Sequence, residues 1–246
     1  MIFQQLHSSS SGSLYTVTAT NGKRLLLECG VKWKRLQNTL KYDLSGFEAC
    51  FITHEHKDHS AAIQDVLRAG IEVCASAGTL EALSAQPGRK VNVVADKTLL
   101  RYPTFEVFCF DVNHDSKKPL GYIVREKDTN EYLLFVTDTS HIIQRFVYPF
   151  SIIAIECSYD KEILQDRVDR QDINEALAKR LLMSHTEKQT AIKYLMESCD
   201  LSKCREIHLL HCSGDNLDKE QTRKEIESMT FIKTIIKGHG CSIAAQ

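Results

Sequence analysis

The stretch Thr53–His59 reads THEHKDH and comes directly after the apolar run EACFI, which predicts a buried strand that ends in a histidine-rich loop. His54 and His56 lie two residues apart, so on extended backbone their side chains project to the same side. Asp58 continues this alternation, and His59 opens the helix predicted next. Neutral imidazole and carboxylate groups are ligands for Zn²⁺, and also for Mn²⁺ or Fe²⁺. The stretch therefore predicts a metal site, against the alternative of a polar surface loop with unrelated histidines.

Three further candidate ligands occur where predicted strands end. His114 follows FCFDVN, Asp138 follows LLFVT and precedes a predicted helix, and His211 follows IHLL. Each of them alone could be a satisfied core or edge residue. A polar ligand type at three successive strand ends is less easily accidental, because rigid scaffolds commonly place functional residues at such positions.

Length and composition limit the class of protein. The 246 residues allow one large domain or two small ones, and 43% hydrophobic with 26% charged residues is ordinary for a soluble globular protein. A net charge of −1 excludes a global basic field for nucleic acid. KWKR at Lys32–Arg35 and REK at Arg125–Lys127 are candidate local patches, against the alternative of solvated faces. The nine cysteines are scattered and predict free thiols. No secretory start and no membrane-spanning run is visible, so we expect a cytoplasmic protein without a membrane partner.

The order of predicted elements indicates one layered α/β domain. The first half reads as strands with short connections, and strands alternate with helices in the second half. Two batches of strands with interspersed helices favour sheets covered by helices. One helix is predicted from Ser60, as its N-cap, to Gly70, which would end it.

The motifs carry a family resemblance. THEHKDH matches the H-x-H-x-D-H signature of the metallo-β-lactamase fold, and VNHD, VTDTS and LLHCS resemble the later His, Asp and His motifs of that fold, in the expected order. HSSSSGSLY and ECSYD are similar to the YycJ-type branch of single-domain hydrolases, and MSHTEKQTA resembles a segment of tRNase Z-like phosphodiesterases. The resemblance covers nearly the whole chain and implies an αββα sandwich formed by a single domain over residues 1–246.

The resemblance also implies a site for two divalent metal ions, expected to be Zn²⁺, with Mn²⁺ or Fe²⁺ as alternatives. By position, one ion is assigned to His54, His56 and His114, the other to Asp58, His59 and His211, and Asp138 bridges both. Two such cations hold a shared hydroxide and neutralise charge on a phosphoryl oxygen, which suits an anionic substrate. Asp58 is also expected to orient the bridging hydroxide.

His185, in MSHTEK, is not needed to complete either metal. In the tRNase Z-like pattern the matching histidine faces the scissile phosphate, where it can stabilise the transition state or protonate the leaving oxygen. The alternative is a helix-capping residue. His185 favours phosphodiester chemistry, so the predicted function is a phosphodiesterase or nuclease acting on nucleic acid ends or on small nucleotides such as cyclic nucleotides. The alternative function is hydrolysis of a thioester, lactone or lactam on the same fold.

Other features bear on the substrate and on departures from the family. Ser10 and Ser11 could place hydroxyl and backbone N–H groups near a substrate phosphate, or form only a turn between strands. No Gly/Pro-rich arm of the kind that tRNase Z uses to grip tRNA is visible, which argues against tRNA 3′-processing. Glu28 stands where the family usually has Asp, so the position of the histidine-rich loop is left open. Related folds often dimerise, and by resemblance alone we expect a homodimer.

Overall fold

The computed structural model describes residues 1–85 and 90–237, and the chain divides into two compact units. The first unit contains Met1–Asp111 and Asp115–Glu131, and the second contains Val112–His114 and the chain from Tyr132 onward. A single domain over residues 1–246 stays a prediction, and residues 86–89 and 238–246 of that range lie outside the described residues. In the described part of the chain, no helix is both long and apolar enough to cross a membrane.

The first unit is built on a six-stranded sheet whose strands follow one another in chain order. Its strands are β1 (Ile2–His7), β2 (Leu14–Thr18), β3 (Arg24–Leu27), β4 (Phe47–Phe51), β5 (Val73–Ser76) and β6 (Val91–Val94). The first three are antiparallel neighbours, whereas β3 to β6 run parallel. β3, β4 and β5 contain runs of consecutive buried residues, as expected for parallel strands covered on both faces.

The described remainder of the first unit consists of short helices and an antiparallel group of strands. The helices are α1 (Trp33–Thr39), α2 (Lys57–Ser60), α3 (Ile63–Arg68) and α4 (Ala77–Ala82), and the strands are β7 (Leu99–Arg101), β8 (Phe105–Asp111) and β9 (Leu120–Glu126). Leu36 of α1 and Ile63 and Val66 of α3 are buried in one apolar cluster together with Leu26 and Cys50 from β3 and β4. This burial fixes the helices against the strands, because apolar area removed from water is the main favourable term in packing.

The second unit contains parallel strands in the order β13-β12-β11-β10. Their bounds are β10 (Glu131–Val136), β11 (Ile152–Glu156), β12 (Glu206–Leu210) and β13 (Lys233–Ile236), and the helices are α5 (Lys161–Asp169), α6 (Glu175–Ser184), α7 (Lys188–Ser198) and α8 (Lys219–Thr230). Each of these helices begins after a side chain that accepts hydrogen bonds from the first turn, namely Asp160, Asn174, Glu187 and Asp218. The carboxyl ends of β10, β11 and β12 share one edge, which is where polar groups converge in parallel sheets.

Two predicted helices are corrected by the structure. Ser60 does not cap a helix but ends α2, and its hydroxyl donates to the carbonyls of Glu55 and His56 at 3.0 and 2.9 Å. The helix predicted after Asp138 is absent, and the backbone is irregular from residue 137 to β11. Asp138 has a left-handed φ of 48°, and the Thr139 hydroxyl donates to the carbonyl of His141 at 2.8 Å, a local bond that competes with helix formation. Gly70 ends α3 with a φ of 82°, as predicted.

Candidate active site

The histidine loop, defined as His54–His59, follows β4, and its last three residues form the start of α2. His54 and His59 are buried, and His56 and Asp58 are half-buried. Nε2 of His54 lies 3.0 Å from Nδ1 of His56, and the rings of His54 and His59 have centroids 4.2 Å apart. Nε2 of His59 is 3.5 Å from a carboxylate oxygen of Asp58. The four ligands that the sequence predicts here therefore lie close together within one short segment.

Glu28 is a fully buried carboxylate that organises the histidine loop from β3. The Thr53 hydroxyl donates to Oε1 of Glu28 at 2.5 Å and therefore accepts from Nδ1–H of His54 at 2.9 Å. Nδ1 of His59 lies 3.3 Å from the same Oε1. Burial raises the pKa of Glu28, and its contacts with His59 and Thr53 partly offset that rise. One carboxylate thus places the proton of both histidines on Nδ1 and the lone pair on Nε2, the arrangement that a metal-ligating histidine uses.

The backbone of the histidine loop is held by residues next to β2 and β3. Ser13 N–H donates to the carbonyl of Asp58 at 2.7 Å, and Cys29 N–H donates to the carbonyl of His59 at 2.8 Å. A Cβ on Gly30 would lie only 1.6 Å from the Asp58 carbonyl oxygen, so this contact requires glycine. The loop is therefore fixed through its peptide groups as well as through its side chains.

The second unit contains a strand-end cluster, defined as Asp138, Glu156, His185 and His211. One potential ligand atom from each of these residues lies within 4.8 Å of all the others. Asp138, Glu156 and His211 come from the carboxyl ends of β10, β11 and β12, and His185 comes from the end of α6. Asp138 and His211 have positive φ angles of 48° and 50°. Such backbone strain in non-glycine residues concentrates at functional sites.

His185 is hydrogen-bonded through Nδ1 to Oε1 of Glu156 at 2.6 Å and lies 3.4 Å from Oδ1 of Asp138. The other oxygen of Glu156 accepts from the backbone N–H of Thr139 at 2.9 Å and of Thr186 at 3.2 Å. Burial alone would lower the pKa of His185, but the carboxylates of Glu156 and Asp138 outweigh it and raise this pKa to about 10. A cation on Asp138 would remove part of that effect. The geometry gives His185 a fixed orientation with Nδ1 as the anchored nitrogen.

His114 lies beside the strand-end cluster in the second unit. Its Nδ1 donates to the carbonyl of Ser184 at 2.9 Å, which leaves the lone pair on Nε2. The ring centroids of His114 and His185 are 5.5 Å apart, and those of His185 and His211 are 5.2 Å apart. The structure therefore brings together the predicted residues of the second unit: His114, Asp138, His185 and His211.

Glu156 is the member of the cluster that the sequence did not single out. Glu156 stands at the end of the apolar run SIIAIE, just as Asp138 and His211 stand at the ends of their own strands. This pattern could have identified it. Its partner His185 is 29 residues away in the chain, so no local spacing reveals the contact.

Ser10 and Ser11 lie on the exposed connection between β1 and β2. The hydroxyl of Ser11 is 2.8 Å from that of Ser9, and the Ser8 hydroxyl is 2.9 Å from the Tyr15 hydroxyl. These bonds indicate an ordered turn with accessible hydroxyl groups. A contact of Ser10 and Ser11 with substrate stays a prediction.

The donor chemistry of both groups of residues fits divalent metal ions. Two nitrogens bound to one tetrahedral Zn²⁺ would lie about 3.3 Å apart, close to the 3.0 Å between Nε2 of His54 and Nδ1 of His56. The strand-end cluster combines imidazole nitrogen with carboxylate oxygen, the ligand types of Zn²⁺, Mn²⁺ and Fe²⁺ sites.

Comparison with known proteins agrees with this picture. A family model described as Beta-lactamase superfamily domain matches residues 23–196. No curated protein sequence matches the chain significantly. The chain is similar to the metallo-β-lactamase fold protein YhfI from Bacillus subtilis, with a TM-score of 0.71, 15% identity and 95% of each chain covered.

Two further solved structures are similar over nearly their whole length. The short form of human tRNase Z has a TM-score of 0.63 and 15% identity, with 96% of each chain covered. Unliganded yeast PDE1 has a TM-score of 0.61 and 12% identity, with 95% of this chain and 96% of that chain covered. At such identities the likeness shows the fold, and the predicted metallo-β-lactamase fold, mixed α/β with two sheets and helices, is confirmed.

Proposed function

This chain belongs to the β-lactamase superfamily, and from that premise we propose that it is a metal-dependent phosphodiesterase. Its substrates are nucleic acid ends or small nucleotides such as cyclic nucleotides. The observation that carries the proposal is the bond between His185 and buried Glu156, beside Asp138 and His211. A histidine anchored in this way serves proton transfer to a leaving oxygen, a step that phosphodiester cleavage needs.

We assign seven residues to two divalent metal ions, taken as Zn²⁺ with Mn²⁺ or Fe²⁺ as alternatives. They are His54, His56, Asp58, His59, His114, Asp138 and His211. When bound, such ions supply a nucleophile at neutral pH and offset the charge of the phosphate. The assignment is supported by the resemblance of the motifs and by the ligand types within each unit.

The tautomers of three histidines also support the metal assignment. Nδ1 of His54 is bonded to the Thr53 hydroxyl, Nδ1 of His59 faces Glu28, and Nδ1 of His114 is bonded to a backbone carbonyl. Metal-ligating histidines almost always donate their other ring N–H to a carboxylate, carbonyl or similar group, which fixes the ring and its tautomer. Three such arrangements are better explained by metal binding than by three unrelated surface histidines.

His185 has the task of donating a proton from Nε2 to the leaving oxygen. Glu156 holds the Nδ1–H side, so the ring cannot turn away, and its charge stabilises the protonated imidazole. The two backbone N–H groups that bond Glu156 keep this carboxylate in place. Asp58 contributes a carboxylate that can orient the attacking group, as predicted from the resemblance.

The names of similar structures agree with this choice over the alternative. One of them is a tRNase and another is a diphosphatase. A thioester hydrolase expels a thiolate, which leaves without a proton donor at His185. If the alternative held, His185→Ala would leave turnover nearly unchanged.

The test is an assay of the metal-loaded protein with bis-p-nitrophenyl phosphate, followed by cyclic nucleotides, single-stranded DNA and RNA. Metal content is measured in the same sample by mass spectrometry. We expect two metal ions per chain and turnover of at least one phosphodiester. Absence of turnover of every phosphodiester by a protein that holds two metal ions would overturn the proposal.

A cytoplasmic location and a homodimer are part of the same proposal. Light scattering of the purified protein tests the homodimer.

A further inference from the structure

The charged residues of this chain are unevenly distributed along the sequence. Residues 1–42 contain six lysines and arginines but one acid, Glu28, which is fully buried. This segment carries a formal charge of +5, although the whole chain carries −1. Such asymmetry within a near-neutral chain is typical of proteins that bind anionic polymers.

A basic surface, defined as Lys32, Lys34, Arg35 and Lys57, lies on the two segments next to the serine loop, Ser8–Ser11. Lys32 precedes α1, Lys34 and Arg35 lie on it, and Lys57 belongs to the histidine loop. All four side chains are exposed. The backbone brings these two segments together, because Gly30, two residues before Lys32, contacts the carbonyl of Asp58, the residue after Lys57.

The residues that flank the serine loop contact both of these segments. At its start, Nε2 of His7 lies 3.0 Å from the Thr39 hydroxyl of α1. At its end, a Cβ on Gly12 would lie 2.6 Å from the side chain of Val31, just before α1. The residue after Gly12 donates its N–H to the backbone of the histidine loop at 2.7 Å. The serine loop is therefore anchored at its two ends beside α1 and the histidine loop.

The cations of the basic surface have no acidic partners among the described residues. Arg24, in the same basic segment, differs because it pairs with Asp43 at 2.9 Å and donates to backbone carbonyls. Exposed cations without an acidic partner keep their charge available for an anionic ligand. Their number and proximity to the serine hydroxyls suit several phosphates in a row.

We propose that the basic surface and the serine loop bind the non-reacting phosphates of a single-stranded nucleic acid. The preferred substrate is then an oligonucleotide, because a cyclic mononucleotide has no phosphate beyond the reacting one. This inference rests on the proposed function, which places the scissile phosphate at the histidine loop. Lys57 would contact the phosphate next to the scissile one, and α1 would contact the following ones.

A single strand suits this surface better than an anionic membrane does. Interfacial membrane binding uses apolar side chains that enter the headgroup region together with cations. Around the basic surface, Trp33 is half-buried in the apolar cluster of the first unit, and Leu36 and Leu40 are buried. The surface therefore offers charge and hydroxyl groups, and Tyr42, which follows α1, is an exposed aromatic residue that also suits stacking on a base of a single strand.

The test measures binding of a fluorescein-labelled, phosphorothioate-linked oligothymidylate that resists hydrolysis, by anisotropy with the metal-loaded protein at several salt concentrations. The double variant Lys32→Ala/Lys57→Ala should bind about 25-fold more weakly at 0.1 M salt, with a salt slope shallower by about 1.4, if each cation neutralises one phosphate of a single strand. A Lys34→Ala/Arg35→Ala variant should lose a similar amount.

The matched control is Lys23→Ala/Lys127→Ala, which removes two exposed cations of the same unit away from the serine loop. It should bind within about twofold of the parent protein, since distant exposed charges are screened. Equal losses in the control and the test variants would show a diffuse field and overturn the proposal. Unchanged binding by both test variants would overturn it as well, and so would binding to phosphatidylserine vesicles without binding to the oligonucleotide.

Failure of this inference is distinguishable from failure of the proposed function. If the protein hydrolyses bis-p-nitrophenyl phosphate but binds the oligonucleotide independently of the basic surface, the proposed function stands and the binding role of the basic surface is refuted. If the protein binds the oligonucleotide through the basic surface but hydrolyses no phosphodiester, the binding role of the basic surface stands and the proposed function is refuted.

Discussion

The histidine loop and the strand-end cluster supply the same kinds of ligand, but they are built differently. All predicted ligands of the loop come from residues 54–59. The buried carboxylate of Glu28 and two backbone hydrogen bonds hold the loop in place. The cluster takes its residues from three strands and a helix end between positions 138 and 211. In the loop, the acid lies beside Nδ1 of His59 and is joined to Nδ1 of His54 through the Thr53 hydroxyl. In the cluster, two acids face His185 and favour its protonated form.

The difference indicates that His185, within the cluster, is suited to another task than the histidines of the loop. A neutral imidazole with a lone pair on Nε2 is suited to hold a cation. An imidazole that is hydrogen-bonded to the buried carboxylate of Glu156 is suited to donate a proton. Substitutions of the assigned metal ligands in either region should therefore change metal affinity first, and substitutions of His185 and Glu156 should change turnover at constant metal content.

The largest effect is expected for Asp138→Ala, because Asp138 is assigned to both metal ions. Metal content should fall, and turnover of bis-p-nitrophenyl phosphate should drop at least about 10³-fold, since charge stabilisation by the metals is worth several kcal/mol. The control His208→Gln changes a buried histidine of β12 that lies 3.3 Å from Glu206, outside the cluster, and should keep both quantities. Full metal content and activity in Asp138→Ala would refute the ligand assignment.

The loop could be predicted from the sequence because its ligands are adjacent in the chain. A spacing of two on extended backbone places His54 and His56 on one side regardless of the rest of the fold. The strand ends of Asp138 and His211 were also predicted, since an apolar run followed by a polar residue marks the end of a buried strand. The helix expected after Asp138 was a wrong prediction, because the left-handed backbone of this residue is set by the surrounding site rather than by local propensity.

The role of Glu156 could not be predicted in the same way. A carboxylate at the end of an apolar strand has many uses, and its bond to His185 depends on where the end of α6 lies, 29 residues further along the chain. Ser60 shows a different, local limit, because its hydroxyl bonds to carbonyls four and five residues earlier instead of capping the following helix. Contacts between distant segments, more than the identity of the residues, separate the predicted from the unpredicted parts of the site.

The next largest effect is expected for His185→Ala. Turnover should fall by about 10²–10⁴-fold, the usual contribution of a positioned acid, while the metal content stays constant. The loss should be smaller for bis-p-nitrophenyl phosphate than for a dinucleotide, because p-nitrophenolate is a good leaving group that needs little protonation. An equal loss for both substrates would mean that His185 positions the substrate instead of donating a proton.

Glu156→Gln should have a moderate effect that also separates the two regions. Turnover should fall by about 10–100-fold, as for partners that orient site residues, with unchanged metal content. Because the Glu156 carboxylate raises the pKa of His185, its loss should lower that pKa. The proton on His185 is then lost at lower pH, so the alkaline limb of the pH–rate profile should move to lower pH.

The control for this shift is Glu206→Gln, which removes a carboxylate of the same strands that contacts His208 instead of His185. It should leave the alkaline limb where it is in the parent protein. An alkaline limb that moves to higher pH in Glu156→Gln, or equally in both variants, would contradict the assignment of His185 as the proton donor.

The smallest effect is expected for Glu28→Asp, which restores the residue that the family usually has. Glu28 reaches the Thr53 hydroxyl and Nδ1 of His59 at the same time, and a side chain shorter by about 1.5 Å cannot keep both contacts without movement of the backbone. Metal affinity, measured by competition with a chromophoric chelator, should weaken by about tenfold, the lower end for such partners. Glu72→Asp makes the same change at a half-buried carboxylate that contacts Tyr102, and it should not alter affinity. If Glu28→Asp binds metal as tightly as the parent protein, the backbone bonds from Ser13 and Cys29 suffice to hold the loop, and its tautomers do not depend on this carboxylate.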